Sequence, residues 1–105
     1  MRTVGFFGGT GIANLAIVRP IHLLPGRQRE AIEWLHESEA DRRKAGQLAQ
    51  YVLKSIVDSA DFVLVQVWES RDAYERWRES PERQRLAEER QRYFTHEPTR
   101  MYEVL

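Results

Sequence analysis

Cysteine is absent from this 105-residue chain. That excludes a disulfide framework, a thiolate metal site and a cysteine nucleophile. Neither charge is in surplus, because 16 Lys and Arg offset 16 Asp and Glu. The basic excess that nucleic-acid binding draws on is therefore missing. The arginines alternate with glutamates, a pattern of solvated, salt-bridged faces. No apolar run approaches the roughly 20 residues that cross a bilayer. The first residues, MRTVGFFGGTGIANLAIVRP, carry only Arg2 before a Gly-rich stretch and lack the long apolar core of a secretory signal. The expectation is a cytoplasmic protein that partners neither nucleic acid nor membrane.

What is present is the composition of a folded domain. Hydrophobic residues make up 42% and charged residues 30%, and the Trp, Tyr and Phe content argues against disorder. Residues 1–13 read as an N-terminal extension, and 14–105 as the domain. From Asn14 to Leu24, Leu15, Ile17, Ile21 and Leu23 share one parity with Arg19 among them, which predicts a strand. Pro20 within it has no N–H to donate and predicts a bulge or an unpaired position. Pro25-Gly26 ends the strand. A helix is expected over about 27–45, with Ala31, Trp34, Leu35 and Ser38 on its narrow inner face and Gly46 as its stop. Residues 48–57 and 62–68 read as a hairpin around Asp58, Ser59 and Asp61. Ser70 caps a helix over about 71–79, and Ser80-Pro81 starts another that runs to about Tyr93 with Leu86 and Tyr93 turned inward. After His96-Glu97-Pro98, residues 99–105 form a last strand. The order β-α-β-β-α-β is that of an α+β, ferredoxin-like antiparallel sheet with helices on one face.

The strand at 62–68 is apolar on both sides. Phe62, Leu64, Gln66 and Trp68 face one way, and Val63, Val65 and Val67 the other. Helices cover only one side of such a sheet, so the second calls for another copy of the chain, a homodimer. The plainer reading is that valine simply suits strands.

Few motifs carry chemistry. FFGGTG (6–11) has the glycines of a dinucleotide loop, but Asn14 stands where a third glycine belongs and a strand pattern follows instead of a helix. It reads better as part of an arm. His22, His36 and His96 are scattered without metal-ligand spacing. His22 lies on the parity opposite Arg19, as a barrel-interior or a hydrogen-bonded structural histidine. Arg19 is different, being a guanidinium on the face that packs under helices. It needs an acceptor, either an internal carboxylate or an anionic or phenolate ligand in a cavity. Gln66 sits likewise between Leu64 and Trp68. With Tyr74 and Trp77 projecting from the next helix, this face has the mixture of apolar walls and converging polar groups that a small-molecule site shows.

Residues 62–86, FVLVQVWESRDAYERWRESPERQRL, resemble the signature of antibiotic biosynthesis monooxygenase domains: a hydrophobic strand ending in Trp, then Glu-Ser, an aromatic, a Trp, and a Ser before the next helix. LLPGR (23–27), Ala45-Gly46 and the closing MYEVL agree in order and spacing. The resemblance implies a dimeric α+β barrel with a pocket between sheet and helices in each subunit. Some members oxidise polycyclic phenols or anthrones with O2 and neither metal nor flavin, and no cofactor is expected here. Trp68 and Tyr74 match their pocket aromatics, while Leu64 stands where they carry an asparagine, a role left to Gln66 or Arg19. The expected catalytic residues are Trp68, Tyr74 and Arg19, and the expected substrate contacts Gln66, Trp77, Leu64 and Ile17. The haem-degrading members share Trp77, but Ala87 stands in place of their iron-binding histidine and Arg19 in place of their asparagine. The implied activity is a cofactor-independent monooxygenase acting on a phenolic, quinone-like or polycyclic aromatic substrate. The alternative is a non-catalytic ligand-binding or stress-related dimeric barrel.

Overall fold

In this computed structural model, which describes residues 14–105, the first strand β1 (Leu15–Leu23) lies at the centre of the sheet. The arm and FFGGTG lie outside the described residues. Leu15, Ile17 and Ile21 are buried on one side of β1, as its alternation predicts. Strand β3 (Phe62–Trp68) pairs antiparallel with it, and β2 (Gln47–Lys54) flanks β3. The opposite edge is shared by β4 (Phe94–His96) and β5 (Arg100–Glu103), which pair with different ends of β1. The result is an α+β antiparallel sheet of order β2-β3-β1-β4. It is the ferredoxin-like arrangement that the order of elements predicts.

Three local features depart from the expected elements. The long first helix is two, α1 (Gln28–Glu37) and α2 (Glu39–Ala45), hinged at Ser38. The Ser38 hydroxyl donates to the Trp34 carbonyl at 2.7 Å, a side-chain bond that competes with continuation of the helix. A short additional strand, β4, precedes the expected last strand, which is β5. The Pro20 carbonyl accepts from the Glu97 N–H at 3.0 Å, so the missing donor of Pro20 faces this edge, where the pairing lapses between β4 and β5. The register with β3 runs through Pro20 unbroken, so the irregularity lies on the β4–β5 side. In β2 the register shifts between Gln47 and Ala49, leaving Leu48 as the extra residue. The bulge lets Gln47 and Gln50, of opposite parity, both turn toward the helices.

The remaining starts follow the sequence. Ser70 accepts from the Ala73 N–H at 3.0 Å and begins α3 (Arg71–Arg78). Ser80 accepts from the Arg83 N–H at 3.1 Å, with Pro81 first in α4 (Pro81–Arg90). The helices bury Ala31, Trp34, Leu35, Ala73, Tyr74, Trp77 and Leu86 against the inner sheet face. The outer face carries Val63, Val65 and Val67 beside Tyr51 and Leu53, which are 55% and 50% exposed. His22 belongs to this outer side, exposed in the single chain, with Nε2 2.9 Å from Glu97 Oε2. Among the described residues no helix is long and apolar enough to cross a membrane.

Candidate functional site

Between the inner sheet face and α3 and α4 lies a cavity of about 50 Å³. Its apolar walls are Trp34, Leu35, Leu64, Trp77, Leu86 and Phe94, with Tyr74 and Gln66 among them. Five arginines also line it, namely Arg19, Arg42, Arg78, Arg83 and Arg90, and no carboxylate does. The volume holds a few water molecules. It is well below the roughly 300–1,000 Å³ of sites that enclose drug-sized ligands. A larger ligand therefore requires side chains on the helix side to shift and widen the space.

Of the residues expected from sequence, Arg19, Leu64, Gln66, Tyr74 and Trp77 come together on this cavity. Trp68 and Ile17 do not line it. Both lie in the core behind the wall, at 0% and 1% exposure. Trp68 packs on Tyr74 and Trp77, with ring centroids 5.4 and 6.0 Å away. Its indole N–H donates to Gln66 Oε1 at 3.3 Å. Trp68 thus supports the wall from which Tyr74 and Trp77 face the cavity.

Arg19 has no acidic partner among the described residues. Its Nε donates to Thr99 Oγ1 at 2.9 Å and its Nη2 to the Tyr74 hydroxyl at 3.4 Å. Thr99 is available because it falls in the gap between β4 and β5. Burial pushes the Arg19 pKa below the ordinary arginine value, opposed by Tyr74 and reinforced by the like charges of Arg83 and Arg78.

Arg42 reaches the cavity from α2. One of its nitrogens donates to the Leu35 carbonyl, Ser38 Oγ and Gln50 Oε1 at 2.9, 3.1 and 3.0 Å. The Gln50 oxygen also accepts from Gln66 Nε2 at 3.2 Å, joining helix and sheet through one polar chain. Burial lowers Arg42 to about 10, with Glu39 opposing and Arg19 adding to the effect. Its Nε is buried without a partner among the described residues.

Sequence reading overlooked Arg42, Arg83, Arg90 and His96. Arg83, Ala87 and Arg90 lie at i, i+4 and i+7 of α4 and all line the cavity. That spacing was a usable signal, hidden within a run of charges that looks solvated. Burial lowers the Arg90 pKa, and Arg19 and Arg83 lower it further. His96 shares the parity of buried Phe94 and pairs with Ile21, on the inner side of the sheet. Its Nδ1 is 2.8 Å from the Glu97 carbonyl oxygen, which only accepts, so Nδ1 holds the proton and the neutral ring keeps Nε2 as an acceptor. Burial lowers its pKa, the Glu97 carbonyl opposes this, and Arg19, Arg90 and Arg83 lower it further. Among the described residues no three His, Asp or Glu side chains gather as a metal-binding cluster.

A second depression of about 600 Å³ runs along the helices, lined by Asp41, Arg43, Glu69, Arg76 and Glu82 among others. Its charges are of both signs. It shares only the Trp77 wall with the inner cavity, and none of the inward-facing polar groups of the sheet.

Comparison with solved structures gives the same architecture. SnoaB, a cofactor-independent oxygenase from Streptomyces nogalater, superposes with a TM-score of 0.76 over 89% of this chain and 94% of its own, at 17% identity. A protein of Chloroflexus aurantiacus assigned to the antibiotic biosynthesis monooxygenases gives 0.70 over 88% and 93%, at 15% identity. A conserved protein from Methanosarcina mazei gives 0.73 over 90% and 95%, at 10% identity. At these identities the likeness establishes the fold. No curated protein sequence matches the chain. The sequence profile of antibiotic biosynthesis monooxygenases, however, matches residues 15–89, from the start of β1 almost to the end of α4, and so takes in both the sheet floor and the helical wall of the cavity. On that match the chain belongs to the antibiotic biosynthesis monooxygenase family.

Proposed function

We propose that the protein is a cofactor-independent oxygenase, acting on a phenolic, quinone-like or polycyclic aromatic substrate in the cavity between sheet and helices. The observation that carries this reading is Arg19. A purely structural arginine on this face would be bonded to an internal carboxylate with no space beside it. Instead the guanidinium borders a cavity and has only hydroxyl partners among the described residues. Family membership supports the reaction class.

Arg19 and Gln66 orient the substrate oxygen, and the guanidinium favours the ionised phenol or enolate over the neutral form. Tyr74, Trp77 and Leu64 hold the ring and exclude water. The electrons come from the substrate. In an anthrone, for example, a ring CH2 becomes a carbonyl, one atom of O2 enters that carbonyl, and the other leaves as water with the two hydrogens. The cavity is too small for such a ring as it stands, and the half-exposed Arg78 side chain, paired with Glu75, swings aside on binding.

Oxygen consumption by the purified protein on a panel of anthrones and hydroquinones tests this. Uptake above autoxidation is expected, with a fall of tenfold or more in Tyr74→Phe and Arg19→Met. No uptake on any substrate, or uptake equal in both variants, rejects the reading.

The working unit in this reading is a homodimer. The outer face of β2 and β3 presents Tyr51, Leu53, Val63, Val65 and Val67 with no helix over it, and a second copy of the same face covers it. Sedimentation velocity is expected to give a dimer that Val65→Lys converts to monomer. A monomeric parent protein rejects this part.

A further inference from the structure

We propose that the cavity takes an aromatic acid, its ring against Leu64, Trp77 and Phe94 and its carboxylate among Arg19, Arg83 and Arg90. This rests on the proposed function only in placing the ligand in the same cavity, and it is independent of any reaction with oxygen.

The chain as a whole is neutral, and six arginines among the described residues are ion-paired on the helix surfaces. Arg27 meets Glu30, Arg29 Glu33, Arg43 Glu39, and Arg71 Glu75. Arg78 meets Glu75, and Arg85 meets both Asp41 and Glu89. Of the five arginines that line the cavity, only Arg78 has such a pair, with Glu75. Arg19, Arg83 and Arg90 have no ion-pair partner among the described residues, and they converge on one space that no carboxylate lines. Arg83 and Arg90, two turns apart on α4, are both half-buried on the face a helix ordinarily fills with apolar residues.

Gathering guanidiniums in a poorly solvated space is unfavourable by itself. The strain is visible in the lowered pKa values of Arg19 and Arg90, each depressed by burial and then by other arginines of the group. An anion removes that repulsion and supplies the missing acceptors. Arg42 adds an independent sign. It is 5% exposed, lines the same cavity, and has a buried Nε without a partner among the described residues.

A planar carboxylate matches the guanidinium fork. A phosphate shares that chemistry, so the two must be separated by experiment. The aromatic body follows from the walls, since Leu64, Trp77, Leu86 and Phe94 favour a flat apolar group and would not retain a small hydrated ion.

The test is calorimetry on the full-length protein with 1-hydroxy-2-naphthoate, its methyl ester, 1-naphthyl phosphate and inorganic phosphate. The expected result is that the acid binds at least tenfold tighter than the ester and than either phosphate. The preference over the ester should drop to near unity in the Arg83→Gln, Arg90→Gln double variant, in which two half-buried side chains are shortened and the core is untouched. A second readout is independent of affinity. The neutralised arginines should let the His96 pKa rise when the acid binds, as followed by its imidazole NMR signals. Equal binding of acid and ester, failure of both to bind, tighter binding of the aryl phosphate, or an intact preference in the double variant would each overturn the proposal. Oxygen uptake on uncharged anthrones alongside equal binding of acid and ester would leave the oxygenase reading standing and remove the anion site. A strong acid preference without oxygen uptake would do the reverse.

Discussion

Replacing Arg19 by methionine should make the protein more stable while it loses ligand binding. The two partners of the guanidinium are neutral hydroxyls, and only the bond to Thr99, at 2.9 Å, is short, the Tyr74 contact being 3.4 Å. Together such bonds are worth about 2–3 kcal/mol. Against them stands a desolvation cost of several kcal/mol for a buried ion. Each like charge within about 10 Å adds on the order of 1–2 kcal/mol at an effective dielectric near 20. Methionine fills a similar volume and leaves the Tyr74 hydroxyl without this donor, which costs about 1 kcal/mol. The balance favours Arg19→Met by about 1–2 kcal/mol. Urea denaturation at one fixed protomer concentration should move the midpoint up by roughly 0.5–1 M. Leu64→Ala, a truncation in the same wall, should lose about 2–4 kcal/mol and shows how a true core position behaves. If Arg19→Met lowers the midpoint as Leu64→Ala does, the reasoning fails. Arg19 would then be a tie between β1, Thr99 and α3, and its place on the cavity incidental.

Two further outcomes follow from the same geometry. Gly46 has φ +121 and a Cβ there would meet Ala73 Cβ at 3.0 Å, whereas Gly26, at φ +74, faces open space. Gly46→Ala should therefore cost about 2–4 kcal/mol and Gly26→Ala about 1 kcal/mol in chemical denaturation, and equal losses would contradict the close packing of α2 on α3. His96 has its folded-state pKa lowered, first by burial, so the unfolded chain binds its proton more readily. The stability this confers is complete above the unfolded value near 6.5 and is lost as pH falls through the folded value. The denaturation midpoint should decline with acidification across that window, and His96→Gln should flatten the decline. An unchanged pH profile in the variant would show that the imidazole is not held neutral by its burial and its arginine neighbours.

The sequence by itself determined the elements and their faces. Strict alternation in β3, and the shared parity of Leu15, Ile17 and Ile21 in β1, specified which side chains point inward. Ser70 and Ser80-Pro81 marked helix starts because capping is a local interaction between near neighbours in the chain. Arg19, Gln66, Tyr74 and Trp77 were legible as a group, being polar or aromatic residues on an inward face. Only the tertiary structure separated Trp68 from Trp77. Both are buried aromatics of one cluster, and which of them meets the cavity depends on how α3 lies across the sheet. The hinge at Ser38, the bulge at Leu48 and the gap that presents Thr99 were equally out of reach, because each is set by a partner distant in the chain. The arginine cluster is the clearest case. Arg83 and Arg90 sit among glutamates in the sequence and look solvated, yet α4 carries its glutamates elsewhere and turns these two toward Arg19. A side chain's electrostatic surroundings are fixed by what the fold brings within a few ångströms of it, and sequence neighbours are only a part of that set.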